Sequence, residues 1–481
     1  MALWDSVIAP ATARGGGLIG VSRTVPLAAL THGSCLGARL DALRGRSVMM
    51  AVREPLTAAV LLLELDGVAR RMVLCTPDLP REHLPHVARC AQADVWLSDS
   101  PQTPPPPGVG LDIAVAADPE PVPLPAGARR PTSRPESQAA TEWVLLTSGT
   151  TGAPKLVAHT LASLTSAFAD PPQSEPPRQG GAALVWSTFY DIRRYGGLQI
   201  YLRALHAGSL MLASPGEATA DYLARAAATG VTHISGTPSH WRKALMTGTF
   251  AGFSPAYVRL SGEVADQGIL DALRAAFPGA VVAHAFASTE AGVGFEIRDG
   301  RAGFPASLVG NSERGVEVDV SRGTLRIRSP GNASAYLGAD APPLKDAEGF
   351  VDLGDQLQLR DGRYYFAGRG GGIINVGGLK VHPEEVEAVI NSHPRVRMSL
   401  VRSRRNPITG AVVTADVVLA DAAGAEPAAA ERIRHEILDA CRTTLAAHKV
   451  PALIRFVPTL AMSASGKLVR PNESPAEPSH A

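Results

Sequence analysis

Thr147-Ser148-Gly149-Thr150-Thr151-Gly152-Ala153-Pro154-Lys155 constrains this chain more than any other stretch. The apolar run Val144-Leu145-Leu146 before it reads as a buried strand, and a helix-like segment begins at Thr160, so a hydroxyl- and glycine-rich loop leaves a sheet edge. The six residues from Thr147 carry four hydroxyls and two glycines, which supply donors and a backbone that anionic oxygens can approach; Lys155 adds a point charge. Such a loop suits a polyphosphate. Its alternative is a solvated Ser/Thr/Gly turn. No Gly-Lys-Ser/Thr follows at the Walker spacing, so a P-loop mechanism is not supported.

Beyond this loop, apolar runs alternate with helical patterns. Val231 to Ser235 reads as a strand, and Thr237 as the N-cap of a helix with Pro238 at its first position. Ile269, Leu270, Leu273 and Phe277 recur at helical spacing up to Pro278-Gly279, after which Ala280 to His284 returns as a strand. This is α/β grammar, in which ligands bind beyond the carboxyl ends of strands. From Gly368 the chain reads Gly-Arg-Gly-Gly-Gly, then Ile373 to Val376, and then a helix opened by Pro383 with acidic early turns. A domain boundary is placed there. A strand over Val412 to Leu419 and a helix with Ile433, Ile437, Cys441 and Leu445 on one stripe complete a small α+β unit. The segment Pro101 to Pro135, rich in Pro, Ala and Gly, reads as a surface connection.

The glycine-rich loop, Phe286-Ala287-Ser288-Thr289-Glu290, Val351-Asp352-Leu353-Gly354-Asp355, Gly368-Arg369 and Ser465-Gly466-Lys467 occur in one order along the chain. In that order they resemble the signatures of the adenylate-forming enzymes, the superfamily of acyl-CoA synthetases, nonribosomal peptide adenylation domains and luciferases. The resemblance implies a large N-terminal α/β domain (1–367) that binds ATP and acid, a hinge (368–372), and a small mobile α+β C-terminal domain (373–481) that carries the catalytic lysine. It also implies that Thr147, Ser148, Gly149, Thr150, Thr151, Gly152 and Lys155 hold the ATP phosphates. Thr289 would donate to the α-phosphate, and Glu290 would help hold Mg2+, a hard cation suited to oxygen ligands. Phe286 and Ser288 would meet adenine or ribose, Asp355 would accept the ribose hydroxyls, and Arg369 would contact ribose or phosphate. Lys467 would bridge the acyl carboxylate and the α-phosphate; one charge pair at about 4 Å is worth on the order of 4 kcal/mol at an effective dielectric of 20.

The chain departs from the family's pattern at several places. Phe286 and Ala287 stand where Tyr and Gly are common, Gly371 stands at a hinge position usually Asp or Lys, and Asn375 replaces a lysine. Gly378 and Lys380 fall in the loop that would line the thiol tunnel. In Phe189-Tyr190-Asp191-Ile192-Arg193-Arg194-Tyr195-Gly196, Arg193 stands where the family carries His. Tyr190, Arg193, Arg194 and Trp241 are the acyl-pocket candidates, with His240 beside them, and they point to an aromatic or polar acid. The alternatives are that the charges pair with each other and that Trp241 is core.

With 481 residues, 45% apolar and 19% charged, the chain suits a globular protein of two unequal domains. A net charge of +1 gives no field to attract nucleic acid or an anionic membrane. Cys35, Cys75, Cys90 and Cys441 lack metal-ligand spacing and fit a reducing cytoplasm. The N-terminus has no basic region followed by an apolar core, and Glu64 and Asp66 cut short the apolar run from Ala58, so neither export nor a membrane span is expected. The expected activity is ATP-dependent activation of a small-molecule acid and transfer to coenzyme A, toward which the basic cluster Arg402, Arg404 and Arg405 leans. The acceptor could instead be a carrier protein's phosphopantetheine, supplied in trans, or an amine, and the activated group could be other than a carboxylate. A catalytically silent nucleotide-binding paralogue is the reading from a different class, and the sequence does not fix the oligomeric state.

Overall fold

The computed structural model describes residues 3, 12, 15–124, 140–147, 152–168, 184–248, 250, 252–313, 315–369, 372–376, 378–406, 410–420, 427–463 and 465–470. Two large sheets carry the N-terminal part. In the first, the spatial order is Gly292–Ile297, Val281–Ser288, Tyr257–Ser261, His233–Gly236, Leu184–Thr188, Gly208–Met211, Gly17–Ile19 and Thr24–Pro26. Its inner strands run parallel, with antiparallel strands at both edges. The second sheet runs Ala335–Leu337, Lys155–His159, Glu142–Thr147, Arg71–Leu74, Ser47–Ala51, Val95–Ser98 and Leu111–Ala114. From Glu142–Thr147 onward its strands are parallel.

Parallel neighbours need crossover connections, and helices supply them. Helix Pro55–Leu65 is apolar on every side and almost wholly buried, as expected of a helix enclosed between layers. Together with helix Tyr195–Ala207 it fills one core shared by both sheets. Glu64 is buried in this core but satisfied: the Ser34 hydroxyl and the amides of Cys35 and Leu36 donate to its carboxylate. No helix among the described residues is long and apolar enough to cross a membrane.

A third, antiparallel sheet contains Val351–Arg360 and Arg363–Arg369, and packs around Phe304, Leu325 and Ile327. After it come the hairpin Ile374–Val376 and Leu379–Val381, helix Pro383–Asn391, the three-stranded sheet of Val396–Asn406, Gly410–Leu419 and Leu453–Phe456, and helix Pro427–Thr444. Ile433, Ile437, Cys441 and Leu445, the stripe read from the sequence, are all buried in the separate core of this unit. The structure is therefore the expected mixed α/β fold with a large N-terminal part and a small α+β part.

Two local features differ from expectation. Lys155–His159 is a strand antiparallel to Glu142–Thr147, with Lys155 opposite Thr147. These two antiparallel strands flank the glycine-rich segment, and the helix from Leu161 follows only after the second of them. Within the Pro101 to Pro135 connection, Leu111–Ala114 adds a strand to the second sheet and Val122–Pro123 pairs with Gly33–Ser34.

Candidate active site

The site lies where the carboxyl end of Val281–Ser288 in the first sheet meets the edge strands Lys155–His159 and Ala335–Leu337 of the second. From the second sheet comes the 147–155 hairpin; Ser148, Gly149, Thr150 and Thr151 lie outside the described residues. Thr147 and Lys155 hold its base, and Gly152 has a φ of +116°, a conformation glycine adopts without steric cost. From the first sheet comes Val281–Ser288, and Thr289 and Glu290 follow directly.

Three contacts bring these elements together. His159 Nε2 donates to the Thr289 carbonyl at 2.7 Å, which leaves Nδ1 to accept from the Ser163 hydroxyl at 2.9 Å. Burial drives the His159 pKa down to about 4, opposed by the Thr289 bond, so the ring is neutral in this role. Tyr336, on the strand beside Lys155–His159, donates to Glu290 Oε1 at 3.3 Å, and Lys155 Nζ lies 5.0 Å from the centre of its ring. The Ala333 amide also donates to the Glu290 carbonyl at 2.9 Å. Neither His159 nor Tyr336 was singled out from the sequence; only the pairing of Ala335–Leu337 with Lys155–His159 brings Tyr336 here. Ser288 turns its hydroxyl to the Ala291 amide at 2.9 Å. Glu290 alone fits a magnesium ion held mainly by nucleotide phosphates, which needs only one or two protein carboxylates; no group of three metal-ligating side chains occurs among the described residues.

Asp355 faces Arg369 across an antiparallel pair; the Arg369 side chain and Gly371 lie outside the described residues. Phe286 stacks on Phe366 of that hairpin, with ring centres 5.6 Å apart, and on Phe295 at 5.7 Å. The aromatic stack therefore links the Thr289 strand to the Asp355 hairpin.

The C-terminal unit closes on the ends of two neighbouring strands. Thr237, the N-cap of helix Pro238–Thr247, donates from its hydroxyl to the Gly466 carbonyl at 2.6 Å. Glu263 accepts from the Leu468 amide at 2.9 Å and from the Ser239 amide at 2.9 Å, so one carboxylate holds both units. Gly466 has a φ of +71° and packs so tightly on the His240 ring that a Cβ would overlap it. A Cβ on Gly262 would stand 3.5 Å from Lys467 Cε. The motif lysine is thus delivered to the ends of His233–Gly236 and Tyr257–Ser261, the latter adjacent to Val281–Ser288.

The acyl-pocket candidates separate. Tyr190 reaches the site: its hydroxyl donates to the Ser261 carbonyl at 2.7 Å and lies 3.0 Å from Ser261 Oγ. His240 stacks on Phe189 with centres 5.4 Å apart, and burial holds its pKa down to about 4. Arg193 does not line a pocket. It is buried, paired with both oxygens of Asp191 and bonded to the carbonyls of Val52 and Arg53. The family's histidine position is here a structural ion pair. Arg194 is likewise paired with Asp78 at 2.6 Å. Trp241 is core, fully buried and edge-on to Phe189 and Phe277.

Of the thiol-tunnel candidates, Gly378 and Lys380 are exposed on the hairpin of Ile374–Val376 and Leu379–Val381, where the Asn375 side chain accepts from the Gly378 amide at 2.8 Å. The asparagine in place of the family's lysine thus closes a turn. Arg402 is paired with Asp416, which removes it from the free basic cluster; Arg404 and Arg405 are exposed.

Comparison with known proteins gives one consistent grouping. The AMP-binding enzyme family model matches residues 44–337, and the AMP-binding enzyme C-terminal domain model matches 385–467. 4-hydroxybutyrate--CoA ligase 1 of Metallosphaera sedula is 26% identical over 353 residues, 67% of this chain and 60% of that protein. The human mitochondrial acyl-coenzyme A synthetase ACSM2A is 31% identical over 158 residues, 32% of this chain and 27% of the relative. The match therefore spans about 60% of the first relative's length and about a quarter of the second's. Among solved structures, the anthranilate CoA ligase AuaEII in complex with anthranoyl-AMP superposes with a TM-score of 0.74 at 18% identity, covering 97% of this chain and 95% of that one. The o-succinylbenzoate CoA synthetase MenE of Bacillus subtilis superposes at 0.69 with 19% identity, covering 99% of both. At these identities the superpositions establish the fold.

Proposed function

This chain belongs to the AMP-binding enzyme family, and from that premise we propose that it is an ATP-dependent acid–thiol ligase, joining a carboxylate to AMP with release of pyrophosphate and then passing the acyl group to coenzyme A. The observation that carries this reading is the docking of the Lys467 loop, through Thr237 and Glu263, on the same sheet edge that presents Thr289 and Glu290.

A carboxylate oxygen is a poor leaving group, and attack on the α-phosphate brings two anions together. Lys467 offsets that repulsion by contacting both the acyl carboxylate and the α-phosphate. Thr289 donates to the α-phosphate, while His159 fixes the Thr289 backbone. Lys155 and the hairpin hydroxyls hold the outer phosphates, and Asp355 accepts from the ribose. Glu290, oriented by Tyr336, would hold magnesium, which neutralises phosphate charge when bound. For the thiol step the small unit, 373–481, rotates about the 368–372 hinge and withdraws Lys467. Gly378 and Lys380 then line the thiol's approach. Transfer to coenzyme A rather than to a carrier protein or an amine is supported by the two CoA-ligase relatives matched in sequence.

The direct test is acid-dependent exchange of labelled pyrophosphate into ATP, with magnesium and without thiol. Lys467→Ala is expected to lose adenylation by several decades while still converting a supplied acyl-adenylate and coenzyme A to thioester. Equal loss in both steps would remove the two-conformation assignment.

A further inference from the structure

One face of the first sheet carries buried polar atoms that meet no hydrogen-bond partner among the described residues. In a strand, every second residue shares a face. Trp186 pairs in register with His233 and then Tyr257, and Ser235 pairs with Arg259 and then Ala283. Trp186, Tyr257 and Ala283 pack in the core that contains helix Tyr195–Ala207, whereas Ile234, Val258 and Val282 pack in the core on the opposite side. The row Trp186, His233, Ser235 and Arg259 therefore faces that helix.

Arg259 is only 2% exposed. Its Nε donates to Glu296 at 2.9 Å, and Nη1 lies 3.5 Å from Ser261 Oγ. Nη2 meets no hydrogen-bond partner among the described residues, and the same holds for Ser235 Oγ on the adjoining strand, Trp186 Nε1, His233 Nε2 and, from the facing helix, Gln199 Oε1. Buried polar groups are ordinarily paired, and an unmet bond costs about 1–3 kcal/mol or more for a charged group. Five such atoms on one sheet face and the helix that covers it leave this interface with unused hydrogen-bonding capacity among the described residues.

Glu296 pairs with Arg259 and Arg298, and Arg203 also acts on it. Burial alone would raise its pKa, but the three guanidiniums lower it to about 2. The donors left over at Arg259, Ser235 and Trp186 suit a hydrogen-bond acceptor, and the Arg259 charge favours an anionic one. The place also adjoins the reaction centre: Ser261 touches the Tyr190 hydroxyl and Arg259, and the next residue, Gly262, lies against Lys467. Three residues of strand, roughly 10 Å, separate Gly262 from Arg259, and the two long side chains shorten the gap.

We propose that Arg259, with the Ser235 hydroxyl beside it, binds a second carboxylate on the acid being activated, so that the substrate is a dicarboxylate whose two acid groups are separated by a short chain or a single ring. The proposal rests on the adenylation reading and specifies its substrate class.

The test is pyrophosphate exchange by the full chain on matched pairs, in which each diacid (malonate to adipate, and the benzene dicarboxylates) is set beside the monoacid with a methyl group or hydrogen in place of the second carboxylate. One diacid is expected to exceed its partner in kcat/KM by about 100-fold or more, because a site built to hydrogen-bond a group rejects the analogue that lacks it. Arg259→Lys should lower kcat/KM for the diacid by at least about tenfold and leave the monoacid and the KM for ATP unchanged. Ser235→Ala, which removes one atom from the core, should lower the diacid value several-fold with the same selectivity. Monoacids used as well as diacids would overturn the proposal and leave adenylation standing. Exchange with no acid at all would overturn the adenylation reading and this inference with it.

Discussion

Arg193 uses its whole guanidinium inside the protein, on Asp191 and on two backbone carbonyls. Removing one partner of a buried pair leaves the other charge uncompensated, at a cost of about 3–5 kcal/mol. Arg193→Met should therefore lower the urea midpoint markedly, with the diacid-to-monoacid preference unaltered in the folded fraction. A changed preference at unchanged stability would return Arg193 to the pocket. The sequence could place Arg193 at the family's histidine position but not foresee its partners, because Val52 and Arg53 lie some 140 residues away in the chain. Arg259 is the converse case. Nothing about Val258-Arg259-Leu260 signals a site; it becomes visible only when the strand register sets Arg259 beside Ser235 with polar atoms left over.

Glu263 works between elements, accepting from the first turn of helix Pro238–Thr247 and from the loop that carries Lys467. In the proposed cycle its contact with the C-terminal unit exists only when that unit is docked, so it would bear on one half-reaction. Glu263→Gln should slow adenylation about tenfold, the equivalent of one charged hydrogen bond, and spare thioester formation from a supplied adenylate. Gly466→Ala should do so more strongly, since the methyl group would overlap the His240 ring and its φ of +71° disfavours any side chain. Equal effects on both half-reactions would mean that these contacts stabilise the fold rather than the docked state. The elements themselves were largely legible. Thr237-Pro238 announces a cap and a first turn, and the stripe from Ile433 to Leu445 announces a buried helix face; both are present. Those signals are local, set by neighbours three or four residues apart. The strand Lys155–His159 was hidden because its pairing depends on the hairpin, and the docking of Gly466 on Thr237 spans more than two hundred residues.

Taken as a whole, the molecule places three histidines, His159, His233 and His240, where burial lowers the pKa to about 4 in each case. The unfolded chain protonates each near its ordinary 6.5, so between pH 6.5 and 4 the unfolded state holds more protons than the folded one. The stability owed to keeping these rings neutral is complete above pH 6.5 and is lost as the pH falls toward 4. Each ring contributes a slope of about 1.4 kcal/mol per pH unit within that window. Urea denaturation at pH 7, 6 and 5 should show stability falling with acidity, and His159→Gln should remove about one ring's share of the slope. His159 joins the two large sheets by holding Thr289, so the same variant should also weaken adenylation at pH 7. An unchanged slope in His159→Gln would mean that the ring is charged in the folded protein. It would then donate from both nitrogens, and the Ser163 hydroxyl could no longer serve as its donor. A reduced slope with unchanged adenylation would leave His159 as a brace between the sheets with no part in positioning Thr289.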